Sequence, residues 1–202
     1  MNPISDVDAL TPSESLLSGF TLEDLQLLVN ENPSLRGYIQ GYLGELMLRR
    51  LLLHHGLEVT KIKDHSVDKG DFLVQGLDAP VTIEVKSLSS GSRRQLPLDE
   101  SWEARVLCKN TDKRVHDVPG LGEVHSCHVP KGVFDILAIC TYPITGTWDF
   151  LFIESRFLPE AEGLPGLIKT TFMIDSKATP GLYSTPLPVI ESVRARKLAA
   201  AA

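Results

Sequence analysis

Two carboxylates and a lysine at regular spacing give this chain its strongest chemical signal. Asp71 precedes Glu84, and Lys86 follows two residues later. Residues 71–86 alternate between apolar and polar side chains as two strands do, and the segment 77–80 between them is typical of a turn. Because side chains alternate across a sheet, the two acids and the lysine share one face. A symmetric loop at 77–80 places Asp71 opposite Lys86. Cross-strand neighbours lie within reach of one small ion, so the pattern predicts metal and water chemistry.

The residues around this trio support the same interpretation. The face that they share also carries Leu73, which is unusual for a fully exposed surface, and a helix that carries Glu45 comes just before. Asp64 and Asp68 are alternatives for the first carboxylate, but Asp71 alone opens an apolar run. The competing interpretation is that Glu-x-Lys lies on the solvated face of a half-buried sheet. The opposite, apolar face consists of Phe72, Val74, Val81, Ile83 and Val85.

Local signals predict the elements that position these residues. Thr21 and Asp24 form a capping box that opens a short helix. A long helix that carries Glu45 follows and ends at Gly56. Further along, we predict strands at 57–63, 71–76, 81–86, 134–140 and 148–153, a flexible loop at 87–95, a helix at about 98–109, irregular structure at 116–132, and a loop-rich remainder with a tail at 194–202.

Length and composition indicate one globular domain. The chain has 202 residues, of which 43% are hydrophobic and 23% are charged. These values are typical of a protein with a packed core. Within the domain we expect an N-terminal helical extension at 1–33, a core at 34–155, and a C-terminal loop-rich segment and tail at 156–202.

The sequence carries no signal for a membrane or for export. It lacks a run of about 18 apolar residues that could span a bilayer. Its N-terminal residues lack both the basic and the apolar region of a signal peptide. The three cysteines are a sparse, odd-numbered set that suits a reducing compartment. We therefore expect a cytoplasmic protein.

The charge is unevenly distributed along the chain. The net charge of −6 argues against a nucleic-acid partner, since phosphate binding usually needs a basic surface. However, residues 1–35 hold six acids and no base, whereas residues 86–115 hold seven bases and four acids. The basic segment follows the strand of Glu84, so that phosphate contact and a merely solvated surface are both open interpretations. The bases that we expect to bind DNA are Arg93, Arg94, Arg105 and Lys109.

The order of these features resembles the PD-(D/E)xK nuclease superfamily, which has the restriction-endonuclease-like fold. In that superfamily a helix with an acidic residue precedes a strand, a strand with Asp, a strand with Glu-x-Lys, and then a helix and a strand. The resemblance covers about residues 38–155 and is strongest over 38–88. One departure is that Gly70, rather than proline, precedes the Asp. The matching segments are Gly44-Glu45-Leu46, Leu57-Glu58-Val59-Thr60, Gly70-Asp71-Phe72 and Ile83-Glu84-Val85-Lys86.

The resemblance implies an α/β fold with a mixed central sheet flanked by helices. It also implies a Mg²⁺-dependent DNA endonuclease, most like a type II restriction endonuclease, in which Mn²⁺ can replace Mg²⁺ and which acts as a homodimer. Asp71 and Glu84 would be metal ligands, with the main-chain carbonyl of Val85 as a third. Lys86 would position or deprotonate the attacking water. Glu45 would be a further carboxylate of the site or an ordinary surface residue.

Other functions and sites remain as alternatives. The chain could be a structure-selective repair, recombination or mobile-element nuclease, or an interaction module without catalysis. His54 and His55 are best explained by their place at a helix end. A second group of His and Cys residues does not have the paired spacing of a structural zinc site. This group consists of His125, Cys127 and His128, with Cys108 and Cys140 elsewhere in the chain.

Overall fold

The chain divides into two compact units, residues 1–40 and 41–202, in a computed structural model of the protein. The residues described are 19–63, 70–76, 78–88, 94–95 (main chain only), 102–110 and 112–201.

The described part of the first unit is helical. Helix α1, Leu22–Glu31, begins at the predicted capping box, in which the amide of Asp24 donates to Thr21 Oγ1 at 3.1 Å and the amide of Thr21 donates to Asp24 Oδ2 at 2.9 Å. Helix α2, Pro33–His54, starts in this unit and continues into the second. It ends before Gly56, whose φ of +75° suits the left-handed end of a helix. Both helices were predicted from the sequence.

The second unit contains most of the strands. They are β1 Glu58–Lys61, β2 Phe72–Gln75, β3 Val81–Ser87, β4 Arg94–Gln95, β5 Trp102–Leu107, β6 Arg114–Val118, β7 Gly122–Ser126, β8 Val129–Pro130, β9 Ile136–Cys140, β10 Phe150–Glu154, β11 Glu160–Ala161, β12 Leu164–Ile168, β13 Thr171–Asp175 and β14 Leu182–Tyr183. The helices are the end of α2, α3 Tyr142–Thr145 and α4 Pro186–Ala201, with a 3₁₀ turn at Ser155–Phe157.

A mixed sheet organises this unit. Among the described strands, six form it in the order β1-β2-β3-β9-β10-β14. Strands β3 and β9 are parallel, whereas the other neighbours are antiparallel. The predicted α/β fold class with a mixed central sheet is confirmed, as are the strands of β1 to β3 and the antiparallel pair β9 and β10.

The two faces of the sheet are covered differently. One face packs against α2 and α4, through Leu48 and Leu52 on the first helix and Val189 and Val193 on the second. The apolar face predicted for β2 and β3 lies here, and all five of its side chains are buried. The other face packs against β5 and β13. The polar side chains of β3 therefore lie on the face that strands cover.

The helix predicted at 98–109 is wrong, because the segment contains strand β5. Ala104 and Val106 are buried, whereas Arg105 and Leu107 are exposed. This alternation has the period of a strand rather than that of a helix. The partner that completes β5 is β13, which lies far along the chain and which no local signal identified.

The irregular structure predicted at 116–132 is also wrong. Strands β6 and β7 form an antiparallel hairpin there, in which Val118 pairs with Gly122. Gly120 and Gly122 have φ values of +80° and +71°. Glycine adopts such values without steric strain, so these two glycines allow the tight turn between the strands.

The tail predicted at 194–202 is wrong, since residues up to 201 belong to helix α4. Lys197 Nζ lies 2.6 Å from Asp135 Oδ2, and Arg196 Nε lies 3.4 Å from Glu154 Oε2. The loop-rich remainder before α4 contains the short strands β11 to β14. Neither α4 nor any other helix in the described part of the chain is both long and apolar enough to cross a membrane.

Candidate active site

The pairing of β2 with β3 determines which polar groups face one another. Phe72 pairs with Ile83, and Val74 pairs with Val81. The amide of Asp71 also donates to the carbonyl of Ile83, so Asp71 lies beside Ile83 and Glu84 at the end of this ladder. The predicted pairing of Asp71 with Lys86 is therefore wrong by two residues, because the connection starts after Val74 and is longer than a symmetric loop at 77–80. A shift of two residues keeps each side chain on its predicted face.

The main chain holds the Asp71 carboxylate in place. The amide of Asp71 donates to the carbonyl of Ile83 at 2.8 Å, and the amide of Val85 donates to Asp71 Oδ2 at 2.7 Å. Gly70 has a φ of +91°, and a Cβ there would lie 3.1 Å from the carbonyl oxygen of Ile83. Proline, whose φ is near −65°, cannot adopt this conformation. Glycine before Asp71 is thus a requirement of the turn that brings the carboxylate onto β3.

Glu84 and Lys86 form a half-buried ion pair on β3. Lys86 Nζ donates to Glu84 Oε1. The Lys86 side chain is 26% exposed, and the Glu84 side chain is 20% exposed. Burial raises the pKa of Glu84; Lys86 opposes this effect and the Asp71 carboxylate adds to it. Burial lowers the pKa of Lys86, but the attraction of Glu84 and its hydrogen bond outweigh burial, so the net shift is upward. Lys86 is therefore a protonated cation at neutral pH.

Glu45 and Lys61 complete the group. Lys61 Nζ lies 2.6 Å from Glu45 Oε2 on α2 and 3.6 Å from Asp71 Oδ1. The structure thus brings Glu45 to the two acids of the hairpin through a lysine that the sequence analysis missed. The sequence contained a signal for Lys61, because this residue ends β1 and pairs with Phe72 of β2, the residue after Asp71. The name carboxylate–lysine cluster is used below for Glu45, Lys61, Asp71, Glu84 and Lys86.

The cluster can supply oxygen ligands to a divalent ion. Within the described residues, no three His, Cys, Asp or Glu side chains are grouped so that they could hold a metal ion by themselves. Asp71 and Glu84 are nevertheless close enough for the charge of one to raise the pKa of the other. Mg²⁺ is usually bound by one or two carboxylates together with water and substrate phosphate. The donor set is of the type that suits this ion.

No family model matches the sequence, and no curated protein matches it. Among solved structures, the chain is similar to the bacterial homing endonuclease I-Ssp6803I, with 11% sequence identity and a TM-score of 0.44. The match covers 80% of this chain and 95% of that chain.

A basic cavity adjoins the cluster at Lys86. It has a volume of about 260 Å³ and is also lined by Leu107, Lys109 and Asn110. Arg105 is exposed on the same side of β5 as Leu107. Of the predicted DNA-binding residues, Lys109 is an exposed base that lines this cavity, and Arg105 is an exposed base on β5, the strand that contributes Leu107 to it. Arg93, the side chain of Arg94, and the alternative acids Asp64 and Asp68 lie outside the described residues.

The cysteines are free and differ in exposure. Cys108 and Cys140 are buried, whereas Cys127 is half-buried. Burial raises the pKa of Cys108 to about 11, with Lys86 acting in the opposite direction. His125 is exposed on β7, and His128 is half-buried just after it.

Proposed function

We propose that this protein is a metal-dependent DNA endonuclease, most like a type II restriction endonuclease. One observation carries the proposal. The Asp71 carboxylate accepts from the amide of Val85 on β3, directly beside Glu84, and the protonated Lys86 donates to Glu84. Two oxygen ligands and a cation at one point are what phosphodiester hydrolysis needs, since it depends on charge neutralisation and a positioned water.

The residues would share the chemistry as follows. Asp71, Glu84 and the carbonyl of Val85 would hold Mg²⁺, or Mn²⁺ in its place. When bound, the ion supplies charge neutralisation and a more acidic water. The amide of Val85 fixes the orientation of the Asp71 carboxylate, which would be one of the ligands. Because its pKa is raised, Lys86 acts as a hydrogen-bond donor that orients the water and stabilises the charge on the phosphoryl oxygens.

DNA is the proposed substrate because a second base lines the cavity at Lys86 and another is exposed on β5. Lys109 lines that cavity, and Arg105 lies on the exposed side of β5. A phosphate that contacts Lys86 would have these bases along its path. Basic side chains that follow the backbone supply most of the non-specific affinity for DNA.

We also propose that the active form is a homodimer. The described residues of each chain contain one carboxylate–lysine cluster, and one cluster cuts one strand at a time. A two-fold pair of chains would present two clusters to a palindromic site. Light scattering with and without DNA would measure the mass of the active species. Accumulation of nicked plasmid by a species that stays monomeric on DNA would contradict the dimer.

Cleavage of supercoiled plasmid tests the nuclease proposal. We expect cutting with Mg²⁺ or Mn²⁺ and none with EDTA, because the two carboxylates repel the phosphate when no ion is present. With Ca²⁺ we expect DNA binding but little cleavage, since its looser geometry orients water poorly. The Asp71→Asn variant should lose cleavage, while Asp78→Asn, a change at an exposed acid in the same hairpin, should not.

The products distinguish the alternatives. Discrete fragments support a sequence-specific enzyme, whereas preferential cutting of branched DNA supports a repair or recombination nuclease. Full activity in EDTA, or equal activity of the Asp71→Asn variant, would overturn the metal site. If the protein binds DNA but does not cleave it with any of these ions, the alternative of a non-catalytic interaction module is supported.

A further inference from the structure

Lys61 is an ammonium ion placed among carboxylates. Its Nζ lies 2.6 Å from Glu45 Oε2 and 3.6 Å from Asp71 Oδ1. The side chain comes from β1, whereas these acids lie on α2 and beside β2. Two acids from separate elements therefore share one cation.

The nitrogen itself is shielded from water. Although 33% of the Lys61 side chain is exposed, its Nζ atom is buried. Nζ also lies 5.5 Å from the centre of the Phe72 ring, which is within the range of a favourable cation–π contact. An exposed salt bridge contributes little and is easily exchanged for water, but a shielded ammonium held on three sides is a fixed part of its site.

We propose that Lys61 is a positioning residue whose ammonium takes the place of a second metal ion between Glu45 and Asp71, so that the site works with one divalent ion. This inference rests on the proposed nuclease function and specifies its metal requirement. Lys61 would stay on the Glu45 side of Asp71. The single ion would bind on the side of Glu84.

The available oxygen atoms support one ion. Asp71 Oδ2 accepts from the amide of Val85, and Asp71 Oδ1 has Lys61 Nζ at 3.6 Å. Glu45 Oε2 is in direct contact with the same nitrogen. In a two-metal site the ions lie about 3.5–4 Å apart and bind the oxygens directly. A second ion would need the oxygens of Glu45 and Asp71 that Lys61 holds.

The charge balance of the cluster also favours a single divalent ion. With all five groups ionised, the three carboxylates and two ammonium groups of the cluster carry a net charge of minus one. One divalent ion changes this to plus one, which a single phosphodiester neutralises. A second divalent ion would leave an excess of positive charge at a half-buried site, where unbalanced charge is costly.

Counting bound Mn²⁺ tests the inference without relying on activity. We would titrate the metal alone into full-length protein and determine the number of bound ions from the electron paramagnetic resonance signal of free Mn²⁺. We expect one ion per chain for the wild type and two for Lys61→Ala, which removes the ammonium and opens its space. The double variant Lys61→Ala/Glu45→Gln should return to one. Lys63→Ala, a change at an exposed lysine two residues away, should remain at one.

The outcomes separate the inference from the proposed function. Two ions in the wild type, or one ion in a folded Lys61→Ala variant, would overturn the role of Lys61 and leave a metal-dependent nuclease in place. No ion in the wild type would overturn both. Far-UV circular dichroism checks that each variant is folded, and Lys61→Gln replaces the alanine variant if the latter does not fold.

Discussion

Single residues in the carboxylate–lysine cluster are held by contacts from more than one element. Asp71, just before β2, is oriented by the amide of Val85 on β3, and Glu45 on α2 is paired with Lys61 on β1. These contacts exist before any substrate binds. Such preorganisation is what makes electrostatic stabilisation effective in an active site, since little rearrangement is needed during the reaction.

Lys86→Ala should lower the rate of cleavage on the order of 10²-fold or more, because the phosphoryl charge loses its hydrogen-bond donor. DNA binding in Ca²⁺ should remain close to that of the wild type. Lys86 also neutralises Glu84, so thermal unfolding should be recorded in the same ion to confirm that the variant is folded. Lys113→Ala, at an exposed lysine, is the matched control. A cleavage rate near that of the wild type would exclude Lys86 from the reaction.

Thiol reactivity should reflect burial and pKa. With the pKa of Cys108 at about 11, only about one thousandth of this thiol is ionised at pH 8, and it is also buried. Burial raises the pKa of Cys140 as well. We therefore expect a disulfide reagent at pH 8 to modify Cys127 first and the other two only in denaturant. Cys127→Ser should remove the fast phase, and a fast phase that persists would contradict this assignment.

Helix α4 shows how one element is fixed to the sheet by both apolar and charged contacts. Its buried residues pack on the face shared with α2. Glu154 at the end of β10 is fully buried and accepts from Ser192 at 2.6 Å and from Arg196 at 3.4 Å. Arg156 contacts the same carboxylate at 2.8 Å. A buried carboxylate needs such partners, so removing one of them should weaken the attachment of the helix.

Arg196→Ala should therefore lower the free energy of unfolding by about 1–3 kcal/mol, the usual cost when a buried polar group is deprived of a partner. Arg156 limits the effect because it remains on Glu154. Arg194→Ala on the same helix is the control, since its partner Asp78 is 82% exposed and 3.7 Å away. Its effect should stay below about 1 kcal/mol. Urea denaturation measures both, and equal effects would contradict a specific role for Arg196.

At the scale of the whole molecule, an acidic protein must still present a path for a polyanion. The net charge is −6, yet the exposed side of β5 and the cavity at Lys86 carry Arg105 and Lys109. Local charge rather than net charge determines where a phosphate backbone binds. The predicted contacts of Arg93 and Arg94 remain predictions.

The double variant Arg105→Ala/Lys109→Ala should weaken DNA binding and reduce the slope of log affinity against log salt by about one to two, close to one for each phosphate that is no longer neutralised. Arg49→Ala/Arg50→Ala removes the same charge from the exposed side of α2 and should leave the slope unchanged. Fluorescence anisotropy in Ca²⁺ at three salt concentrations would measure both. A lower slope for Arg49→Ala/Arg50→Ala with an unchanged slope for Arg105→Ala/Lys109→Ala would place the DNA path along α2.

Local patterns in the sequence were sufficient for α1, α2 and the first three strands. The capping box of Thr21 and Asp24, the glycine after α2 and the alternation along β2 and β3 each act within a few residues, so the sequence alone predicts them. Alternation also assigned Asp71, Glu84 and Lys86 to one face. For the paired residues of β2 and β3 the predicted faces survived the change of register, because a shift of two residues returns every side chain to the same side.

Only the tertiary structure decided the features that depend on distant partners. Strand β5 needs β13, and α4 needs the sheet and the buried Glu154, so the sequence near either element predicted a helix for the first and a tail for the second. The exact partner of Asp71 followed from the length of the connection, and the place of Lys61 followed from the pairing of β1 with β2 and the approach of α2. Pairings between distant segments are determined by packing and burial, and these forces leave little trace in the local order of residues.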